Sequence, residues 1–315
     1  SRCRTDFLTL TSSASSSVDF HVLDGDTPVG EGRVALVFEY NGSGFHGWQY
    51  QKSGIPSVEG HLQQACSKVA NHEVELVCAG RTDAGVHASA QVVHFDTPVS
   101  RSMRSWVMGI NTALPPGISV RWAGNVDDTF HARFSAVSRR YRYIIASQAV
   151  RPAIGQDCVS WTYRILDSDA MNRAAQYLVG EHDFSAFRAA GCQSKSPFRN
   201  VHAVTVTRHS AYVVIDIQAN AFLHHMVRNI AGALMAVGSG EHPEHWIRDI
   251  LSLGDRRKAA VTAPPNGLFL VNVGYPQAFG LPCEAPGPAF IEPWMSPDQQ
   301  RPIPGQRYEH AGASE

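Results

Sequence analysis

The stretch VELVCAGRTDAGVHASAQVVHFDT, from Val74 to Thr97, is the part of the sequence that decides the fold. Apolar residues dominate its two ends, VELVCAG and AQVVHFDT, as they do in β-strands with a buried face. The residues between these ends include Gly85 together with Arg81, Asp83 and His87, a composition typical of a loop. We therefore predict two strands joined by a loop that carries a guanidinium, a carboxylate and an imidazole.

Taken alone, Asp83 has an ordinary explanation. Asp and Gly are frequent turn residues, because Asp bonds to its own backbone and Gly adopts positive φ without strain. The loop by itself therefore favours a turn over a catalytic site.

The sequence on the N-terminal side of this stretch reads as one strand and one helix. VALVFEY, residues 34–40, alternates in polarity as a strand with one buried face does. Ser57 is a suitable N-cap for a helix whose apolar positions Val58, Leu62 and Cys66 share one face. The first half of the chain is therefore ordered strand, helix, strand, strand.

The C-terminal side repeats this order loosely. YRYIIAS (141–147) reads as a strand, and DSDAMNRAAQYLVG (167–180) reads as a capped helix. VHAVTVTR (201–208) and YVVIDIQANA (212–221) form a predicted hairpin, and FLHHMVRNIAGALMAVG (222–238) is a predicted core helix. Two α+β halves are implied, in which helices cover one face of an antiparallel sheet and leave the opposite face free for a ligand.

Composition and charge are compatible with a folded protein that binds nucleic acid. Of the 315 residues, 43% are hydrophobic and 17% are charged, which is typical of a folded chain. The net charge of −1 is unfavourable for binding a polyanion, but residues 33–275 carry 23 Lys and Arg against 18 Asp and Glu. Most of these cations are arginines, whose planar guanidinium suits bidentate contacts with phosphate.

The sequence contains no signal for a membrane or an oxidising compartment. No apolar run is long enough to cross a bilayer, and the N-terminal stretch has no apolar block of the secretory type. The six cysteines are scattered, without a CxxC pair or a metal-like spacing to histidine. We therefore expect a cytoplasmic protein with reduced thiols.

The motif GRTDAGVHA, residues 80–88, resembles the catalytic signature of the TruA family of tRNA pseudouridine synthases. Seven further segments resemble that family and follow in its order: YNGSGFHGWQYQ (40–51), SVEG (57–60), QVVHFDT (91–97), FHARFSA (130–136), RRYRY (139–143), NAFLHHMVRNI (220–230) and GLFLVNV (267–273). The resemblance extends over roughly residues 33–275, which is the size of a complete catalytic unit. Asn41, where the family more often has Asp, is a minor departure.

The resemblance implies an isomerase that converts uridine to pseudouridine with Asp83 as its catalytic carboxylate and without a cofactor. The reaction breaks the N-glycosidic bond, turns the uracil and rejoins it through carbon, so a group must hold one fragment or stabilise a cationic sugar. A carboxylate can do either, as a nucleophile or as a counter-charge. Three routes stay open: attack by Asp83 on the base, attack on the sugar, or assisted formation of a glycal.

Two more catalytic residues follow from the resemblance. Arg228, a polar exception in an apolar helix, corresponds to the arginine that pairs with the catalytic aspartate, and a buried carboxylate needs such a partner to stay ionised. Tyr141 corresponds to the active-site tyrosine that stacks on the target base. Without the resemblance, Arg228 reads as a surface guanidinium and Tyr141 as a core aromatic.

Contacts with RNA are predicted for a set of basic residues. Arg81 would help to keep the target base out of the stack. The other predicted RNA contacts are His87, Arg133, Arg139, Arg140 and Arg142. As phosphate contacts they would set the affinity and its salt dependence, whereas as solvated surface charges they would have no such function.

No metal site is predicted. His224 and His225 are adjacent, and adjacent side chains on a helix lie about 100° apart, so the two would not converge on one ion. We therefore expect activity to survive the removal of metal ions.

The complete prediction is an α+β protein with two similar ferredoxin-like halves around an extended antiparallel sheet and a central active-site cleft. Residues 1–31 form a flexible leader, 32–138 the N-terminal half, 139–275 the C-terminal half, and 276–315 a Pro- and Gly-rich tail that is partly docked. By resemblance the protein is a homodimer. Its substrates would be uridines at positions 38, 39 and 40 in the anticodon stem-loop of tRNA, which is recognised mostly by shape.

Two alternatives remain open. A catalytically inactive protein of the same fold would bind tRNA as a chaperone, although the joint presence of Asp83, Tyr141, Arg228 and Arg81 argues against it. A carboxylate-based nucleoside hydrolase would need a base that activates water, and no such base is identified in the sequence.

Overall fold

The structure, a computed structural model, describes residues 27–51, 54–282 and 286–295. The predicted leader up to residue 26 and the predicted tail at 283–285 and 296–315 lie outside the described residues. The strands in the described ranges are β1 (Pro28–Val29), β2 (Gly32–Tyr40), β3 (Val77–Cys78), β4 (His87–Thr97), β5 (Arg101–Ser102), β6 (Ile118–Asn125), β7 (Ser138–Ser147), β8 (Ser160–Thr162), β9 (Gly180–Asp183), β10 (Phe198–His209), β11 (Tyr212–Ala219) and β12 (Leu268–Gly274). The α-helices are α1 (Val58–Ala70), α2 (Met103–Ala113), α3 (Ser168–Ala175), α4 (Met226–Gly238) and α5 (Trp246–Leu253).

Ten strands of the described chain form one large sheet. Its order is β6-β2-β4-β12-β7-β11-β10-β9, with β3 paired to β4 and β8 paired to β7. Two of the pairs are parallel, β12 with β4 and β8 with β7, and the other pairs are antiparallel. The predicted antiparallel sheet is therefore a mixed sheet. The cause is β12, which lies between β4 and β7 and, being antiparallel to β7, runs parallel to β4.

The helices of both halves cover the same face of this sheet. Leu268 and Leu270 are two positions apart on β12, so they point to the same face. Leu268 belongs to the hydrophobic core that includes α3 and α4, whereas Leu270 belongs to the core that includes α1 and α2. The two cores therefore lie on the same face of the sheet, and β12 contributes a side chain to each of them.

The helix predicted after Ser57 is confirmed as α1. The Ser57 hydroxyl accepts a hydrogen bond of 3.2 Å from the Gly60 N–H, which caps the first turn. Asn71 ends the helix in the left-handed conformation, with φ of 58°. Leu62 and Cys66 are buried, as their shared face predicted.

The opposite face of the sheet is covered in the second half. Ile144 and Val271 pack there against Ile291 and Met295 of segment 286–295, and all four side chains are at most 5% exposed. The expectation that this face is free for a ligand is therefore wrong at β7, β11 and β12. The sequence analysis expected the Pro- and Gly-rich tail to dock in part, but it did not indicate which face of the sheet the docked residues cover.

Residues 27–31, which the sequence placed in the leader, belong to the folded protein. Val29 is buried, and its carbonyl accepts a hydrogen bond of 2.8 Å from Trp106 Nε1. Strand β1 also pairs with β5 in a separate two-stranded sheet. The boundary was misplaced because two apolar residues among polar neighbours give no periodic signal.

Two further expectations concern the whole chain. Among the described helices, none is long and apolar enough to cross a membrane. The cysteines within the described ranges, Cys66, Cys78, Cys158 and Cys192, are free thiols.

Candidate active site

The loop between β3 and β4 holds Asp83 on a fixed backbone. The Val86 N–H donates to the Asp83 carbonyl at 3.1 Å, which closes the turn. The Thr82 hydroxyl bonds to the buried hydroxyl of Tyr40 at 2.7 Å. Gly85 has φ of 77°, a conformation that other residues adopt only with strain. The residues that made this loop look like an ordinary turn therefore also orient the Asp83 carboxylate.

Three side chains from the second half of the chain meet the Asp83 carboxylate. His224 Nε2 lies 3.2 Å from Asp83 Oδ1, and His225 Nε2 lies 3.2 Å from Asp83 Oδ2. Arg228 Nη1 donates to Asp83 Oδ2 at 3.4 Å. The Asp83 side chain is 29% exposed, so the carboxylate is held by the protein and remains partly accessible to solvent.

Arg228 is fixed in place by α4 and by a second hydrogen bond. Its Nε donates to the Ala263 carbonyl at 2.9 Å. The side chain is only 14% exposed, so its charge is partly removed from water. The guanidinium is therefore held beside the Asp83 carboxylate by the backbone of another segment of the chain. The structure thus brings Arg228 and Asp83 together, as the sequence analysis expected.

The two histidines converge on Asp83 because they precede the helix. Helix α4 begins at Met226, and His225 has φ of 60°, in the left-handed region. The two rings lie 4.0 Å apart, measured between their centres. The argument that His224 and His225 diverge around a helix is therefore wrong, since it assumed helical backbone at both positions. Burial lowers the pKa of His225, and the Asp83 charge opposes that shift.

Tyr141 lies on β7 and contacts both hydrophobic cores. Its ring meets the Phe222 ring nearly at a right angle, with 5.0 Å between the ring centres. Burial raises the pKa of Tyr141 to about 12; the Arg139 charge opposes this rise and the Asp83 charge adds to it. The Tyr141 hydroxyl is therefore protonated at neutral pH. The charge of Asp83 is one of the influences on its pKa.

Arg81 and Arg133 are exposed, in keeping with their predicted contacts with RNA. The Arg133 guanidinium lies 5.5 Å from the centre of the Phe134 ring, which is itself 75% exposed. An exposed ring beside a cation offers a nucleic acid both charge and a stacking surface. Phe134 was not identified from the sequence, although it lies inside the motif FHARFSA.

Arg139 connects the two halves of the chain. Its Nη2 donates to the Ala79 carbonyl at 3.1 Å, next to the loop that carries Asp83. Its Nη1 donates to the Asn220 carbonyl at 3.1 Å, next to the segment that carries the two histidines. Burial lowers the pKa of Arg139. The guanidinium therefore has a structural task that the sequence analysis did not assign to it.

Arg140 and Arg142 are buried, which contradicts their predicted contacts with phosphate. Arg142 is fully buried and Arg140 is 5% exposed. Both bind the carboxylate of Asp216 on β11: Arg140 Nε lies 2.7 Å from Oδ1, and Arg142 Nε lies 2.8 Å from Oδ2. Arg142 Nη1 also donates to the Gly287 carbonyl at 2.7 Å. Because side chains alternate along a strand, these two arginines lie on the opposite face of β7 from Tyr141, and Arg142 joins that face to the C-terminal segment.

His87 is also buried, so its predicted contact with RNA is corrected as well. Its Nδ1 accepts a hydrogen bond of 2.9 Å from the Gly42 N–H, and its Nε2 lies 3.1 Å from the Asn266 carbonyl. Its ring stacks on Phe269 with 4.5 Å between centres. His87 therefore anchors the start of β4 and is only 1% exposed.

Comparisons with known proteins identify the family of this chain. The family model described as tRNA pseudouridine synthase matches residues 36–135 and 174–276. Proteins named tRNA pseudouridine synthase A are 57% identical in Shewanella sp. (strain ANA-3) and 54% identical in Legionella pneumophila (strain Corby), each over 259 residues. These matches cover 82% of this chain and 99% and 98% of the respective relatives.

A similar protein of the same name in Alcanivorax borkumensis is 54% identical over 259 residues, covering 82% of this chain and 97% of that protein. A chain in the crystal structure of a Cbf5-Nop10-Gar1 complex matches 76% of this chain and 57% of its own length at 11% identity. Its TM-score of 0.32 is too low to support an argument. The family model and the sequence identities are sufficient: this chain belongs to the TruA family of tRNA pseudouridine synthases.

Proposed function

We propose that this chain converts uridine to pseudouridine in the anticodon stem-loop of tRNA, with Asp83 as the catalytic carboxylate. The observation that carries the proposal is the position of Asp83. Its carboxylate is partly exposed and lies 3.4 Å from Arg228 Nη1 and 3.2 Å from a nitrogen of each of two histidines. A turn residue with only a structural task would not need three polar partners from a distant part of the chain.

The chemistry requires a carboxylate that is ionised and accessible. Arg228 and the two histidines place a guanidinium and two imidazoles around the Asp83 carboxylate, where they orient its oxygens. Its partial exposure leaves an approach for the nucleotide. An ionised Asp83 serves equally in attack on the base, in attack on the sugar and in stabilising the cation that leads to a glycal. All three routes remain compatible with the proposal.

Tyr141 and Arg81 are proposed to handle the extruded base. Tyr141 packs against Phe222 and presents an aromatic surface near Asp83, on which a uracil ring can stack. Arg81 is exposed two positions before Asp83 and is suited to occupy the space that the extruded base leaves. Base extrusion is needed because the glycosidic bond is otherwise shielded within the stack.

Affinity for tRNA is proposed to come from exposed cations such as Arg81 and Arg133. Such contacts recognise phosphate and shape, and they do not read sequence. By the same reasoning from the family, the protein acts as a cytoplasmic homodimer, and its substrate uridines lie on the 3′ side of the anticodon stem-loop.

Two ferredoxin-like halves, 32–138 and 139–275, are proposed as the domain organisation. The first half supplies α1 and α2 and the second half supplies α3, α4 and α5, and β12 from the end of the second half joins the two at the centre of the sheet. In this arrangement the active site is a cleft between the halves.

The direct experiment is to incubate the protein with an unmodified tRNA transcript, digest the RNA to nucleosides and separate them. The proposal expects pseudouridine. An inactive tRNA-binding protein would leave the nucleosides unchanged, and a hydrolase would release free uracil. A matched transcript with cytidine in place of the uridines at positions 38, 39 and 40 tests the site. Pseudouridine formed equally in that transcript would contradict the assignment to the anticodon stem-loop.

A further inference from the structure

The Asp83 cluster has the composition of a metal site. Asp83, His224 and His225 each offer one ligand atom, and these atoms all lie within 4.8 Å of one another. Two imidazoles and one carboxylate are a common ligand set for zinc, with a fourth position left for water or another molecule. The left-handed backbone at His225 allows the side chains of two adjacent residues, His224 and His225, to approach the same carboxylate.

The distances agree with such a site. In a tetrahedral zinc site with bonds of about 2.0–2.1 Å, neighbouring ligand atoms lie about 3.4 Å apart. His224 Nε2 lies 3.2 Å from Asp83 Oδ1 and His225 Nε2 lies 3.2 Å from Asp83 Oδ2, so each nitrogen stands at ligand-to-ligand distance from one oxygen of the carboxylate. The side chains are 45%, 28% and 29% exposed for His224, His225 and Asp83, so an ion can enter from solution without unfolding of the chain.

We propose that Asp83, His224 and His225 bind a transition-metal ion of the zinc class, and that the bound ion inhibits the enzyme. The inhibition rests on the proposed function, because it requires Asp83 to be the catalytic carboxylate. An ion bonded to Asp83 occupies the oxygens that the reaction uses and also blocks the position of the nucleotide. The metal is therefore a competitor of the substrate, and catalysis itself proceeds without it.

The ligand chemistry sets the selectivity. Imidazole nitrogen together with carboxylate oxygen suits Zn²⁺, Co²⁺, Ni²⁺ and Cu²⁺. Mg²⁺ and Ca²⁺ prefer sites made of oxygen, and Mg²⁺ keeps most of its water. The Mg²⁺ that folds tRNA is therefore not expected to bind to the Asp83 cluster.

Arg228 opposes the metal. Its guanidinium lies 3.4 Å from Asp83 Oδ2, and its positive charge repels a second cation at the same carboxylate. Removal of this charge should therefore tighten metal binding while it impairs catalysis. An effect of opposite sign on the two properties is not expected of a residue that merely supports the fold.

The binding test uses the full chain after treatment with a chelator, titrated calorimetrically with ZnCl₂, and with CoCl₂ followed by visible absorption. His224→Gln and His225→Gln each keep an N–H donor for Asp83 but lose the imidazole ligand. Wild type should bind one ion per chain, each Gln variant should bind at least about tenfold more weakly, and Arg228→Gln should bind more tightly. His46→Gln, at an exposed histidine outside the cluster, is the matched control and should bind as wild type does.

Failure of the wild type to bind, or equal binding by the wild type and both Gln variants, would overturn the site. The inhibition test compares pseudouridine formation with ZnCl₂, with MgCl₂ alone, and with ZnCl₂ followed by excess EDTA. Zinc should inhibit and EDTA should restore the rate. Zinc bound at the cluster without loss of activity would overturn the inhibitory role. An Asp83→Asn protein that stayed active would overturn the proposed function and leave the binding result standing.

Discussion

Arg228 Nη1 lies 3.4 Å from Asp83 Oδ2, although the two residues are 145 positions apart in the sequence. One residue comes from a loop before β4 and the other from α4. Their contact depends on the placement of β12 between the two halves of the sheet, because β12 holds β4 and β7 on either side of it. The candidate site is therefore assembled by the fold of the whole chain.

The first prediction concerns Arg228. Arg228→Gln should lower the rate of pseudouridine formation by at least about a hundredfold, or about 2.7 kcal/mol of barrier, because Asp83 loses its strongest counter-charge. Binding of tRNA should change by less than about tenfold. Arg228→Lys keeps the charge but loses the hydrogen bond to Ala263, so its rate should lie between those of the other two proteins. A Gln variant as fast as wild type would exclude Arg228 from the reaction.

The second prediction concerns the buried pair of arginines on β7. Asp216→Asn leaves Arg140 and Arg142 without their shared carboxylate and should lower the free energy of unfolding by about 3–5 kcal/mol. The measurement is denaturant unfolding at constant salt. The variant that remains folded should bind tRNA as wild type does, since these guanidinium groups are buried. If Asp216→Asn lost tRNA affinity without losing stability, Arg140 and Arg142 would have to be regarded as RNA contacts after all.

The third prediction concerns the pH dependence of stability. Burial lowers the pKa of His94 from 6.5 to about 4, and the Ala132 N–H donates to its Nδ1, which fixes the neutral form. Because the folded pKa lies below the unfolded one, the contribution of His94 is complete above pH 6.5. It is lost as the pH falls toward 4, by up to about 3 kcal/mol.

His94→Asn keeps an acceptor for the Ala132 N–H and cannot gain the proton. Melting temperatures between pH 7 and pH 4.5 should therefore fall less steeply in His94→Asn than in wild type. His46→Asn, which removes an exposed imidazole, is the control. Parallel curves for His94→Asn and wild type would show that His94 does not resist protonation in the folded protein.

The fourth prediction concerns the exposed arginines. Arg81→Gln and Arg133→Gln should weaken tRNA binding, and each should reduce the slope of log affinity against log salt by about 1. The slope is measured by titration of tRNA at several salt concentrations. Arg104→Gln, at an exposed position on α2, is the control. If all three variants gave the slope of wild type, the phosphate contacts would have to lie elsewhere.

Much of the fold was accessible from the sequence because its signals are local. The cap at Ser57 and the apolar face of α1 were predicted, and so were the strands on either side of Asp83. Helices α2 and α5 and the small strand β1 were not, since short segments with mixed polarity give weak periodicity. The position of β12 was also missed, because which strands pair is decided by contacts distant in sequence.

The candidate site was predicted in part, for a similar reason. Asp83, Tyr141 and Arg228 were identified from the resemblance, and the structure brings Asp83 and Arg228 into contact. His224 and His225 were excluded as joint metal ligands by an argument that assumed helical backbone at both positions. The left-handed conformation of His225 removes the basis of that argument. Burial was the other unknown: nothing in the motif RRYRY distinguishes a buried Arg142 from an exposed phosphate contact, because alternation along the strand does not say which face is covered.

The central claim is that Asp83 acts as a catalytic carboxylate, and the most direct measurement is the single-turnover rate of Asp83→Asn on unmodified tRNA. Asn fits the same turn and lacks the charge and the nucleophilic oxygen. Asp128→Asn, at an exposed aspartate, is the matched control. Melting and tRNA binding are measured beside the rate, because the loss of charge leaves Arg228 unpaired. We expect a folded protein that binds tRNA within about tenfold of wild type and forms pseudouridine at least about a thousandfold more slowly, or about 4 kcal/mol in barrier. A folded, tRNA-binding Asp83→Asn protein with a rate near that of wild type would contradict the account.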